Sequence, residues 1–327
     1  MTTSITDERS ARILLAAASE PGDRTTGALV RRLGAVATLD LVQSEQVVVH
    51  EVDKAEFELW RRRVGPRIER DGGARIVEAT ERMSLHLLTP VDEEWPRELN
   101  QLGDLAPLTL WAKGDVSHLT RRASSRVAIV GARAATSYGE HIASELASDL
   151  AGAGRLVVSG GAYGIDGAAH RAATMSRPGA TIAVVAAGVD RAYPAGHSDL
   201  FTRIVDGGGL IVSELPPGAT PTRWRFMERN RLIASLAAAT VVVEAGYRSG
   251  ALDIAARAIE LGRPVGAVPG PVTSAASAGC HRLLNEGSAE LVTSADDIVG
   301  MVDRSRPSLT GLAHPSTVTR PNPGIAL

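Results

Sequence analysis

The sequence is poor in cysteine, lysine and aromatic residues, and it has no long apolar run. Cys280 stands alone, so an intrachain disulfide cannot form and a cysteine-rich zinc site is excluded. No uninterrupted apolar stretch reaches about 18 residues, which excludes a transmembrane helix and any membrane partner of that kind. The opening MTTSITDERSAR puts acids where a secretory signal needs a basic and then an apolar stretch, so a cytoplasmic protein is expected. Lysine occurs only at Lys54 and Lys113; the rest of the 35 basic residues are arginine. Arginine suits bidentate phosphate contacts and stacking on bases. Codon bias in a chain rich in Ala and Gly accounts for the total, so only the placement of arginines carries information. A net charge of −2 gives no global attraction for nucleic acid, and such a function has to come from a local patch.

What is present is enough for a sizeable core: 327 residues, 44% of them hydrophobic and 22% charged. That length predicts about two domains. Residues 1–82 read as short helices. Phe57, Trp60, Val64 and Ile68 recur at spacings of three and four, an apolar stripe on one helix. Asp23, Thr25 or Thr26 caps a helix running through Leu33 and ending at Gly34. Residues 83–122 form a bridge with short strands at 85–88 and 108–111. From residue 126 the pattern changes. Apolar runs at 127–130, 156–158, 182–185, 210–212, 241–243 and 265–268 alternate with helical stretches such as 139–152, 164–175 and 249–261. Continuously apolar strands are those buried on both faces of a parallel sheet. The expected fold class is therefore α/β, a Rossmann-like, doubly wound, mostly parallel sheet preceded by a small helical N-terminal domain. The tail, 304–327, is rich in Pro, Ser and Thr and is expected to be disordered.

In such a sheet ligands bind beyond the carboxyl ends of the strands. There the chain has Gly131-Ala132-Arg133, and then Ser159-Gly160-Gly161-Ala162-Tyr163-Gly164 opening a helix. Glycines at these turns let backbone N–H groups reach an anion, and Arg133 adds a fork for phosphate. Tight structural turns would use the same glycines. Neither turn is GxGxxG and no GxxxxGK[ST] occurs, so a dinucleotide or ATP site is unsupported and no cofactor is expected. The densest patch is 223–231, RWRFMERNR, with four arginines, two aromatics and one acid. Charge interleaved with rings is the composition of a single-strand binding groove; a solvated arginine-rich loop is the plainer alternative. Ser249 and Gly250 offer a further anion turn. Glu244 is a candidate acid or a structural carboxylate, the latter favoured. Asp166 and His170, four apart on one helix face, lack a third metal ligand and read as capping and hydrogen-bonding residues. No GxSxG elbow supports a hydrolase triad.

The ordered blocks VAIVGAR, VVSGGAYGIDGAAH, GVDRAYP, LIVSELPPG, FMERNRLIASL, VVVEAGYRSGAL, AVPG and GCHRLLNEGSAELV resemble the DprA/Smf family of DNA-processing proteins over about residues 84–300. The resemblance implies an extended Rossmann-like core that binds single-stranded DNA, forms a homodimer and helps load the recombinase RecA in natural transformation, without being an enzyme. The family's GSR block falls on Gly131, Ala132 and Arg133, giving Arg133 a phosphate-binding role. Its F-P-x-R-N-R block falls on Phe226, Met227, Glu228, Arg229, Asn230 and Arg231. The implied DNA contacts are thus Gly131, Arg133, Ser159, Gly160, Gly161, Tyr163, Gly164, Phe226, Arg229, Asn230, Arg231, Ser249 and Gly250. Tyr163 stands where many relatives carry Lys or Arg, and Met227 replaces a proline. The helical first domain resembles a SAM-like or helix-hairpin-helix-like unit, self-association points to residues 279–292, and no winged-helix domain is expected after the core (83–303). A rival from the same superfamily is a nucleotide phosphoribohydrolase of the Lonely Guy type. Its PGGxGTxxE block is missing, with EAGYRSGALDIA the nearest counterpart. A scaffold without DNA affinity is a third reading.

Overall fold

The computed structural model describes residues 7–43, 53–71 and 73–305; the expectations for the extreme N-terminus and for a disordered tail after Ser305 lie outside them. Five helices come first: α1 (Glu8–Ala18), α2 (Arg24–Leu33), α3 (Ala35–Gln43), α4 (Lys54–Asp71) and α5 (Gly73–Arg82). The cap of α2 is Asp23, whose side chain accepts the Thr26 N–H at 3.0 Å, and Gly34 ends the helix. On α4, Phe57, Trp60 and Val64 are buried against Ala18, Leu29 and Leu41, with Ile68 at the margin. The stripe faces inward because its 3–4 spacing keeps those side chains on one side of the helix.

A single sheet follows, made of β1 (His86–Leu88), β2 (Leu110–Gly114), β3 (Arg126–Val130), β4 (Leu156–Ser159), β5 (Thr181–Val184), β6 (Leu210–Ser213), β7 (Ala239–Val242), β8 (Val265–Ala267) and β9 (Glu290–Leu291). Its order is β1-β2-β6-β5-β4-β3-β7-β8-β9. β2 runs antiparallel to β1 and β6, and the other pairings are parallel. The expected mostly parallel, doubly wound sheet is therefore what forms. Chain order reverses between β3 and β7, where the connections diverge to opposite sides and leave a crevice.

The remaining helices are α6 (Ser117–Thr120), α7 (Ser137–Gly152), α8 (Ile165–Ser176), α9 (Ser198–Asp206), α10 (Arg223–Leu236), α11 (Gly250–Glu260), α12 (Ala278–Asn285) and α13 (Ala295–Arg304). Side chains alternate across the strands. Val127 and Ile129 pack with α7, α8 and α13, while Ala128 and Val130 pack with α10, α11 and α12. Cys280 of α12 is buried with its Sγ 3.5 Å from Val242 O, and burial pushes the thiol up to about 11.

The helical unit shares its core with the sheet. Ile13 of α1 joins the cluster of Trp111, Ala183 and Ile211, and Trp111 Nε1 donates to Thr80 Oγ1 of α5 at 3.1 Å. Arg31 pairs with Asp104 at 2.7 Å, and Arg225 of α10 grips Glu20 through Nε and Nη2 at 2.9 and 3.2 Å. Among the described residues no helix is long and apolar enough to cross a membrane.

Candidate functional site

A cleft of about 780 Å³ opens at the switch point. Gly131, Ala132 and Arg133 line it after β3, Gly246, Arg248, Ser249 and Gly250 after β7, and the first turns of α10 form the facing wall. The β3 turn is braced from behind. Ala132 N–H donates to Glu244 O at 2.7 Å, and the Thr136 N–H and Oγ1 donate to the Glu244 carboxylate at 2.8 and 2.6 Å. Glu244 is 1% exposed and does not line the cleft. The structural reading of this carboxylate therefore holds. The turn into α8 leans on the same segment: Ile165 N–H donates to Ala132 O at 3.2 Å, and Gly164 has φ +71°. A Cβ on Gly164 would stand 2.3 Å from Ala132 O and 2.6 Å from Arg133 O, so only glycine fits there.

The floor of the cleft is Arg229, buried on α10. Its Nη1 donates to Val184 O at 3.1 Å, while its Nε has no hydrogen-bond partner among the described residues. Burial pulls this guanidinium down to about 10; Asp166 opposes the shift and Arg133 adds to it. Burial likewise raises Asp166, against the charge of Arg229 and the Ala162 N–H. The two groups face each other across Gly160, where a Cβ would fall 1.8 Å from Arg229 Nη1 and 2.7 Å from Asp166 Oδ2. Above them, Phe226 is flanked by two cations, Arg133 Cζ at 4.6 Å and Arg229 Cζ at 5.7 Å from its ring centre. Arg133, Arg223 and Arg248 are exposed at the rim.

The residues singled out by sequence fall into distinct groups. Gly131, Arg133, Phe226, Arg229, Asn230, Ser249 and Gly250 come together around the cleft. Ser159, Gly160 and Gly161 are buried beneath it: Ser159 Oγ donates to Ile129 O at 2.6 Å, and they shape the floor without lining it. Tyr163 projects outside the cleft, edge-on to His197 at 4.7 Å. Asn230 Nδ2 donates to Asp253 Oδ2 at 3.0 Å, and Ser249 caps α11 by accepting the Ala251 N–H at 3.3 Å. His170 is fully buried, bonded through Nδ1 to Thr181 Oγ1 at 2.7 Å, and burial pushes it down to about 3, so it stays neutral.

Two expectations need correction. The arginine-aromatic patch is not a loop; it is the N-terminal half of α10, capped by Thr222. Arg231 does not reach the cleft. It is fully buried and forms a fork onto Glu214 at 2.6 and 2.5 Å, with further donations to Glu228 O and Leu105 O. No donor of that guanidinium faces the cleft, because the helix turns it towards β6. The four arginines of the patch thus split: Arg223 in solvent, Arg225 on Glu20, Arg229 in the floor, Arg231 in the core. Arg223, from the arginine-aromatic patch, also lines the cleft, as do Arg248 and Tyr193, which the sequence did not mark as contacts. The signal for Arg248 was its place just before the α11 cap.

The family model for DNA recombination-mediator protein A matches residues 86–303. The chain belongs to this family. Among relatives of the DNA recombination-mediator protein A family, a DNA processing protein DprA of Mycobacterium tuberculosis is 50% identical over 298 residues, covering 88% of this chain and 73% of that one. The Streptococcus pneumoniae DprA structure superposes with a TM-score of 0.71 at 29% identity, over 91% of this chain and 98% of that one. DNA processing protein A of Helicobacter pylori, described for its single-stranded DNA binding mode, superposes with a TM-score of 0.58 at 27% identity, over 67% of this chain and 96% of its own.

Proposed function

We propose that the protein binds single-stranded DNA in the switch-point cleft and, in the cytoplasm, acts as a non-enzymatic recombination mediator that hands the strand to RecA. The observation that carries the reading is the cleft itself: exposed Arg133, Arg223 and Arg248 surround a buried guanidinium, with backbone turns at the N-termini of α8 and α11. Such a surface neutralises phosphates without reading bases. Single-strand binding by the Helicobacter pylori relative supports it. Glu244 gives the hydrolase reading no support, since its carboxylate is committed to Thr136.

Self-association would use the region 279–292, where among the described residues β9 closes the sheet with one side unpaired and Leu291 is 55% exposed. Two clefts on one particle would strengthen binding through effective concentration. Sedimentation velocity is expected to give a dimer that Leu291→Asp dissociates; a monomer throughout removes this part of the reading.

The principal experiment is fluorescence anisotropy of a labelled oligonucleotide across a salt series. Log affinity should fall linearly with log salt, and Arg133→Ala and Arg248→Ala should each flatten the slope by about 0.7. Duplex DNA should compete poorly. Binding indifferent to both arginines would place the strand elsewhere. Adding RecA to the coated strand checks the hand-over, with faster filament formation expected and an unchanged rate counting against it.

A further inference from the structure

The chain has three phenylalanines, four tryptophans and four tyrosines, and their division between core and surface follows one rule. Phe57, Trp60, Trp95, Trp111 and Phe201 are buried, and Phe226 is half-buried between its two arginines. The other five rings, Tyr138, Tyr163, Tyr193, Trp224 and Tyr247, are 39 to 65% exposed. Each lies in the connection, or the first helical turn, after a different strand: β3, β4, β5, β6 and β7 in that order. All five therefore crowd the carboxyl end of the sheet, the end that holds the cleft. Isolated exposed apolar residues need no explanation. Exposed rings confined to one rim of the molecule, interleaved with free arginines, do.

Tyr247 shows how such a ring is prepared. It sits between two cleft-lining residues, Gly246 and Arg248, and is 65% exposed. The guanidinium of Arg282, reaching from α12, lies 5.6 Å from its ring centre. Arg282 Nε has no hydrogen-bond partner among the described residues, and the nearest carboxylate, Glu286, is 3.9 Å away. The guanidinium thus faces the ring while also sharing a long i,i+4 ion pair with Glu286 on its own helix. On the other flank, Tyr163 rests edge-on against His197, and Trp224 is the exposed ring of the α10 N-terminus.

Resting on the single-strand reading above, we infer that these rings form a stacking track, with Trp224, Tyr247 and Tyr163 each receiving a base of a strand that extends past the cleft on both sides. The arginines hold phosphates, and the rings hold bases. Trp224, Tyr163 and Tyr247 follow β6, β4 and β7, so each is two strands, about 10 Å, from the next along the sheet edge, a gap that an extended single strand bridges. Every base has a π-face, so the track is tolerant of sequence yet requires bases to be present and unpaired.

The test compares an oligothymidylate with an oligonucleotide of equal length and charge that carries abasic sites, using the full chain and anisotropy. The abasic strand is expected to bind at least tenfold more weakly, with the same salt slope. Tyr247→Ala and Trp224→Ala should each weaken oligothymidylate binding threefold or more, leave abasic binding and the slope alone, and leave the melting temperature unchanged. Tyr247→Phe should restore binding. Equal binding of the two strands, with Arg133→Ala still flattening the slope, overturns the track and leaves the DNA reading standing. Failure to bind either strand overturns both.

Discussion

Arg231→Met is expected to destabilise the protein by about 3–5 kcal/mol in urea unfolding, while single-strand affinity at low temperature stays within about twofold of the parent. The cost arises because the buried Glu214 carboxylate would lose the fork that, among the described residues, answers both of its oxygens. Removing both charges in Arg231→Met/Glu214→Leu should recover much of the loss, since a buried ion pair is only weakly favoured over apolar side chains that fill the same volume. Recovery will stop short of complete, because the carbonyl of Leu105 loses its donor at about 1–3 kcal/mol if it stays buried, whereas Glu228 O keeps its place in the α10 helix. A single mutant that unfolds at the parent's urea concentration but loses DNA would return Arg231 to the binding surface.

The second large effect is expected at Gly164. Gly164→Ala places a methyl against two backbone carbonyls of the turn that carries Arg133, at a φ of +71°. At φ +71° and ψ −127° the backbone lies outside the left-handed helical region, in one that glycine almost alone adopts, which costs an alanine about 1–3 kcal/mol, with about 1–3 kcal/mol more for the overpacking. Because the colliding atoms are backbone, the turns have to separate, and single-strand affinity should drop at least about tenfold, as when a catalytic or binding group is moved by an ångström. Gly262→Ala isolates the strain alone: its φ is +68°, with nothing within 4 Å of the new methyl. That variant should lose only the conformational part of the stability and bind DNA normally. If the two variants bind alike, the contact between the turns is not what positions Arg133.

The sheet was legible because strands buried on both faces have to be apolar throughout, and runs such as 127–130 and 241–243 admit little else. The turn after β3 was legible only as a candidate, since tight structural turns use the same glycines. The helix α10 was not. Its residues from Glu228 to Leu236 are all buried, so no polar face alternates with an apolar one and the 3.6-residue period is erased. The two arginines in that span, Arg229 and Arg231, gave no sign of burial, because a buried arginine depends on a partner remote in sequence, and nothing at position 231 announces Glu214 just after β6 or Leu105 before β2. β9, two residues long and exposed, carries no pattern at all. Within the site, the rim residues Arg223 and Arg248 share one trait: each lies next to a helix cap, Thr222 and Ser249, whose geometry decides which way the neighbouring side chain projects.

The sealed thiol of Cys280 has a practical side. A thiol held up to about 11 is almost wholly protonated at neutral pH, and protonated sulfur is a poor nucleophile. A cysteine introduced at an exposed rim position such as Tyr247 or Arg248 would therefore be the one sulfhydryl that a maleimide reaches. Fluorophores can be placed singly around the cleft without first building a cysteine-free background, and the passage of a strand from one dye to the next can be followed as it happens.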